Sequence, residues 1–194
     1  MDILELLGSG FAWTADRIRV VRPDDMAVPT PCTRWDLRQL LNHTVGAIDV
    51  VASALAGNHV LTEAGAHELA HQERIGDDPA AAYAEMTRWA LKIWHEPGAL
   101  DRDCPTERGP IQARDATAVT LMEAVVHGWD IAQSTGEDEP IPPYLAEPIL
   151  GFARRWPHVD GQRGAMYDPA IPGGTTASGR LLGFLGRRPR AASR

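Results

Sequence analysis

The chain has 194 residues, of which 44% are hydrophobic, and this length and composition are typical of one globular domain with a core of its own. Its formal net charge of −7 argues against general binding of nucleic acid. No run approaches the roughly 18 apolar residues of a membrane span, and the acidic start lacks the basic region of a signal peptide, so we expect a single cytoplasmic domain over residues 1–194 without a membrane partner.

Helical periodicity dominates the chain, and no segment alternates convincingly as a β-strand. A first helix is predicted over about residues 2–20, where a proline-rich stretch ends it. A second helix is predicted to start at Thr33, because Thr33 and Asp36 have the spacing of a capping box, and to end at Gly57. The polar residues 58–76 that follow are predicted to form a loop or a short irregular helix.

Two further long helices are predicted in the middle of the chain. One starts at Asp78, where a proline occupies the first helical position and its missing N–H costs nothing. It ends before Pro97. The next starts with Asp115 as its N-cap and ends at Gly136, a residue type that favours the left-handed conformation after a helix.

In the C-terminal part of the chain, a fifth helix is predicted over 143–156 and a short last helix in "SGRLLGFLG". Four arginines near the C-terminus are predicted to belong to a solvated tail: Arg187, Arg188, Arg190 and Arg194. Cys32 and Cys104 fit no metal or redox spacing and are predicted to be free thiols. The pattern therefore predicts an all-α helix bundle over about 1–136 and a C-terminal extension over about 137–194.

The stretch "EAVVHGWD" places two ionisable groups on a helix that is otherwise mostly apolar. Glu123 and His127 are four residues apart and therefore share one face. A buried carboxylate without a partner is costly, and a bound dication would stabilise it while using a neutral imidazole. His43, at the border of the core face of the second helix, is the best candidate for a third ligand. A structural Glu–His pair and a hydrogen-bonded packing histidine are the competing interpretations.

Asp130 follows His127 by three residues and can orient the histidine by accepting a hydrogen bond from its ring. A surface aspartate, or an ion pair with an arginine, is an equally good interpretation of this residue. Trp35 and Trp129 are predicted to be core residues.

Two segments, "TPCTRWDLRQLLNHTVG" and "EAVVHGWDIAQSTG", resemble the mycothiol-dependent maleylpyruvate isomerase N-terminal-like branch of the DinB superfamily, which is abundant in actinobacteria. "GDDPAAAYAEMTRWA" and "LLGFLGRRP" resemble a single-domain subgroup of it. The resemblance implies a DinB-like up-and-down four-helix bundle with a divalent metal near one end. It implies His43, Glu123 and His127 as the ligands and zinc as the metal, while nickel, manganese and iron fit the same ligand types.

The resemblance also implies an enzyme in which the metal activates mycothiol, a low-molecular-weight thiol, for S-transfer to a small electrophile or for isomerisation of it. Arg34 and Arg88 are predicted to bind carboxylates of the substrate near the mouth of the bundle, and a solvated helix face with Glu85 and Lys92 is the competing interpretation of Arg88. The substrate-binding arginine that the isomerase carries in an additional C-terminal domain matches no particular position here. A metal-dependent hydrolase, and a non-catalytic metal- or ligand-binding bundle, are the alternatives. Members of this family often pair, so a homodimer is expected.

Overall fold

The computed structural model describes residues 1–164 and 167–188, with residues 64, 66 and 67 described by their backbone alone. The predicted all-α class is confirmed, since the only strands in this part of the chain form one hairpin of two-residue strands, β1 (Asp103–Cys104) and β2 (Ile111–Gln112). The α-helices are α1 (Ile3–Ile18), α2 (Leu37–Leu55), α3 (Glu63–Glu68), α4 (Pro79–Trp94), α5 (Ala113–Thr135), α6 (Pro143–Arg155), α7 (Pro157–Gly161) and α8 (Ala177–Phe184). None of these helices is both long and apolar enough to cross a membrane.

The four long helices α1, α2, α4 and α5 form the predicted bundle. Each packs mainly against two others, and the order around the ring is α1, α5, α2, α4. Helices α1 and α2 therefore occupy opposite corners, as do α4 and α5. The long connections over 19–36 and 95–112 join these opposite corners, which is the role of crossover connections in helical bundles.

Helix α2 starts later than predicted, at the second of two possible capping boxes. Asp36, not Thr33, is the N-cap: its carboxylate accepts a hydrogen bond from the backbone N–H of Gln39, and the Gln39 side chain accepts one from the N–H of Asp36. Both residue pairs have capping-box spacing, and Thr33 is left exposed in the preceding turn. The predicted end at Gly57 is two residues late, because α2 ends at Leu55.

Helix α5 starts earlier than predicted. The helix begins at Ala113, directly after β2, and Asp115 lies in its first turn, where a negative charge is favourable near the helix N-terminus. Its end is as predicted, with Gly136 in the left-handed conformation at φ 87°. The start of α4 is as predicted too, with Asp78 as N-cap and Pro79 in the first helical position.

The C-terminal residues fold back onto the bundle. Helix α6 packs against both α5 and α8, and the chain then returns to α5 at Arg187. The prediction of a solvated tail is wrong for Arg187, which is 7% exposed, because a buried carboxylate on α5 binds its guanidinium. Arg188 is exposed, as predicted, and Arg190 and Arg194 lie outside the described residues.

Helices α1 and α5 approach each other closely at two glycines. A methyl group on Gly10 would lie 2.6 Å from the side chain of Leu121, and one on Gly128 would lie 2.6 Å from Oγ1 of Thr14. The same Thr14 hydroxyl donates a hydrogen bond of 2.9 Å to the carbonyl oxygen of Ala124. The two helix backbones can therefore approach this closely only where a side chain is missing.

We expect Gly128→Ala to lower the free energy of unfolding by about 1–3 kcal/mol, because overpacking must push α1 away from α5. Urea unfolding followed by circular dichroism measures this change. Gly8→Ala is the matched control: Gly8 lies within α1 with no atom within 4 Å of its added methyl group, so the change should be neutral or stabilising. A Gly128→Ala protein as stable as the wild type would contradict the close packing.

Candidate metal-binding site

Three predicted ligands, His43, Glu123 and His127, lie together where α2 packs against α5. Nε2 of His127 lies 3.1 Å from Oε2 of Glu123, and Nε2 of His43 lies 3.5 Å from the same oxygen. One ligand atom from each residue can be chosen so that all three lie within 4.8 Å of one another. Both imidazoles are buried, whereas the side chain of Glu123 is 22% exposed and lines a cavity. The structure thus brings the predicted residues into one cluster.

Asp130 lies behind His127, on the side away from Glu123. Its Oδ2 atom is 3.0 Å from Nδ1 of His127, and the residue is fully buried. A neutral His127 that donates its Nδ1 proton to Asp130 turns the lone pair of Nε2 towards the carboxylate of Glu123. Lone pair and carboxylate repel each other unless a proton or another cation lies between them. The donor set therefore fits a divalent metal ion.

Arg187 is a second partner of the Asp130 carboxylate. Its Nε atom lies 3.2 Å from Oδ1 and 3.1 Å from Oδ2 of the carboxylate. Of the three interpretations that the sequence left open for Asp130, the surface aspartate is wrong, because the residue is fully buried, and the other two are realised together, since it binds the histidine and also pairs with an arginine. The arginine was missed because it stands in a basic segment whose composition is that of a solvated tail. A fully buried aspartate needs such a cation.

The charges of the cluster shift the pKa values of its members in opposite directions. Burial alone would raise the pKa of Glu123, but hydrogen bonds and charge from His127 and His43 outweigh it and hold this pKa far below its usual range. Burial alone would lower the pKa of His127, but hydrogen bonds and charge from Asp130 and Glu123 raise it. Without a metal, the cluster therefore favours an imidazolium at His127 beside ionised Glu123.

Aromatic and thiol side chains cover the cluster. The ring of Trp35 lies 4.3 Å from that of His43, centroid to centroid, and 6.0 Å from that of His127. Trp35 is only partly buried, unlike Trp129, which belongs to the core as predicted. Cys32 is a free thiol, as predicted, and burial raises its pKa to about 12, so it is no thiolate nucleophile at neutral pH.

A cavity of about 330 Å³ opens beside the cluster, and His43 and Glu123 form part of its wall. Helices α2 and α5 supply one side, while α3, the turn between β1 and β2, and the residues around α7 supply the others. Tyr167 also lines it, and burial together with the negative charge of Glu123 raises the pKa of the Tyr167 hydroxyl. No pattern in the sequence predicts this cavity, because its far walls come from irregular connections.

The two arginines predicted to bind substrate carboxylates lie elsewhere. Arg34 is exposed in the turn before α2, and Arg88 is exposed on α4. Neither is among the described residues that line the cavity, where Arg108 is found instead. A contact of Arg34 or Arg88 with substrate stays a prediction.

We expect Asp130→Asn to lower the pKa of His127 in the metal-free protein, because the hydrogen bond and charge of the carboxylate raise it. An NMR pH titration of the histidine ring measures the change. Asp115→Asn, on the same helix but at its far end, removes the same charge and should leave the titration of His127 unchanged. An unaltered titration in Asp130→Asn would contradict the contact between the two side chains.

Comparisons with known proteins agree with this fold. A sequence model of the mycothiol maleylpyruvate isomerase N-terminal domain matches residues 8–132. Uncharacterized protein Rv0738 of Mycobacterium tuberculosis strain H37Rv is 27% identical over 173 residues, 88% of this chain and 89% of its own length. Uncharacterized protein MT0763 of strain CDC 1551 matches equally.

Solved structures show the same fold. The crystal structure of the mycothiol-dependent maleylpyruvate isomerase superposes with a TM-score of 0.59 at 16% identity, over 78% of this chain and 66% of that one. A histidine-to-alanine mutant of that protein gives a TM-score of 0.58 with the same identity and coverage. This chain thus matches about two thirds of the length of the isomerase. The match to residues 8–132 covers more than half of the chain, which therefore belongs to the mycothiol maleylpyruvate isomerase N-terminal domain family.

Proposed function

We propose that this chain is a divalent-metal-dependent enzyme that uses mycothiol for S-transfer to a small electrophile or for its isomerisation. The observation that carries the proposal is the cluster of His43, Glu123 and His127, of which His43 and Glu123 line a cavity of about 330 Å³. Family membership supports a mycothiol-related role, and the related isomerase is itself named as mycothiol-dependent. The expected homodimer and the cytoplasmic location stay predictions.

The residues present fit a divalent ion with an open position. Two imidazoles and one carboxylate are a ligand set of zinc enzymes that leave a coordination site for substrate, and nickel, manganese and iron accept the same ligands. An ion bound there would lower the pKa of a thiol that coordinates it. Asp130 would hold His127 in the tautomer that presents Nε2 to the ion, and Arg187 would hold Asp130.

The cavity supplies the surroundings that a thiolate reaction requires. It leads to the carboxylate of Glu123, whose side chain is 22% exposed, so an ion bound there would keep an open position for the thiol. The hydroxyl of Tyr167 stays protonated at neutral pH because its pKa is raised, so it serves as a hydrogen-bond donor and not as a base. Polar groups nearer the mouth, among them His59, Thr62 and Gln162, suit the hydroxyl-rich part of a sugar-containing thiol.

We expect one divalent ion per chain, measured by elemental analysis and by calorimetric titration of the metal-free protein with Zn²⁺. His43→Ala should weaken binding at least about tenfold, since it removes one of three ligands. His95→Ala, which changes an exposed histidine after α4, should bind as the wild type does. Because the pKa of His127 is raised, a proton competes with the ion, and affinity should fall as the pH is lowered through that pKa. Unchanged Zn²⁺ binding by His43→Ala would exclude the assigned site.

We expect turnover of electrophiles to require both the metal and mycothiol, and to fall at least about 100-fold in Glu123→Gln. Product formation is measured with and without the thiol across a panel of electrophiles. Hydrolysis that proceeds equally without thiol would instead support the metal-dependent hydrolase. Stoichiometric metal without turnover of any compound in the panel would support the non-catalytic binding bundle.

A further inference from the structure

We infer that the electrophile accepted by this site is neutral and apolar, and that substrates carrying a carboxylate are rejected. The inference rests on the proposed function and names the substrate class for it. The distribution of apolar and charged side chains on the wall of the cavity carries it.

The wall that α2 and α5 contribute is apolar up to the metal-binding cluster. Ala47 stands one turn after His43 on α2, and Val119 stands one turn before Glu123 on α5. Val50, Val51 and Ala116 continue this surface, and Leu61, Leu69, Ile111 and Trp156 face the cavity from the other elements. A group that reaches the cluster therefore passes mainly along apolar surface, with Thr120 and Tyr167 as uncharged polar neighbours, and an unpaired carboxylate is strongly unfavourable there.

Fixed positive charge is scarce on this wall. Arg108 is the one arginine or lysine among the described residues that line the cavity, and its Nη2 atom is already paired with Oε2 of Glu63 at 2.7 Å. Glu107 lines the same region, and its carboxylate accepts a hydrogen bond from the backbone N–H of Glu63. Glu63 and Glu107 thus outnumber the one guanidinium group of this part of the wall, while Glu123 is committed to the proposed ion. An incoming carboxylate meets repulsion and finds no uncommitted arginine.

The histidines of the wall do not replace an arginine. His59 is exposed, and the ring of His158 packs against Trp156 at a centroid distance of 4.9 Å. An imidazole lacks the planar two-pronged donor with which a guanidinium binds a carboxylate. In the proposed function an ion at the cluster would bind the thiol sulfur, so its positive charge would not serve to bind a carboxylate of the substrate. A neutral apolar compound, by contrast, gains from burial against the valines and Trp156.

A matched pair of compounds tests this inference: methyl 4-chloro-3,5-dinitrobenzoate, which is neutral, and 4-chloro-3,5-dinitrobenzoate, which carries a carboxylate. In both, the mycothiol sulfur bonds to the ring carbon that bears chlorine, chloride leaves with the electron pair, and the thiol proton passes to solvent. Each kcat/KM is divided by the rate constant of the uncatalysed reaction. We expect the ester to be favoured at least about tenfold. Equal values, or a preference for the carboxylate, would overturn the inference.

A variant that replaces the charged partner of Arg108 by a neutral side chain sharpens the test. Glu63→Gln keeps the size of the side chain but releases Arg108, so it should raise the carboxylate-to-ester ratio of kcat/KM several-fold. Glu68→Gln removes the same charge from the same helix, at an exposed position outside the cavity wall, and should leave the ratio unchanged. A ratio that stays constant in Glu63→Gln would show that the paired arginine does not set the preference.

Equilibrium dialysis of the two compounds without thiol separates this inference from the proposed function. If no electrophile of the panel reacts in a mycothiol-dependent way, the proposed function fails, but dialysis of the two compounds still decides the substrate class. Binding of the ester at least about tenfold tighter than the carboxylate supports the inference. Equal binding, tighter binding of the carboxylate, or no binding of the ester up to its solubility limit overturns it.

Discussion

The fully buried carboxylate of Asp130 is the group on which the site and the C-terminal extension both depend. An unpaired charge in that position would strongly destabilise the folded protein, and two partners offset the cost: the Nδ1 side of His127 and the guanidinium of Arg187. One partner belongs to the cluster, and the other comes from the end of the described chain. The same carboxylate therefore orients a proposed metal ligand and fixes the returning C-terminal segment against α5.

Close helix packing sets the distances in the cluster. Gly10 and Gly128 let α1 lie against one face of α5, while another face of α5 meets α2 and brings His43 to Glu123. Because interiors are packed as densely as organic crystals, a shift of α5 would move Glu123 and His127 together. The cavity begins where this packing ends, in the space between the bundle and the irregular connections. Rigid helices thus hold the charged groups, and variable segments shape the space in front of them.

The sequence predicted those parts of the molecule that follow from local spacing. Glu123 and His127 share a face because a helix repeats every 3.6 residues, and Asp78 followed by proline marks a helix start wherever it occurs. The cap of α2 was misplaced because Thr33 and Asp36 satisfy the same local rule. Arg187 was misassigned for a different reason. Its burial depends on a carboxylate 57 residues away in the sequence, and a pattern of neighbouring residues cannot predict a contact between such distant positions. The cavity wall was missed on the same ground.

The order of helices around the bundle has a consequence for how the molecule folds. Its most extensive helix contact, between α1 and α5, joins segments that are far apart in the chain, as the hydrogen bond from Thr14 to Ala124 across 110 residues shows. Loop closure of that length lowers folding rates relative to bundles whose consecutive helices are adjacent. The cluster takes Glu123 and His127 from α5 and His43 from α2, so it is complete only when α5 has docked onto α2.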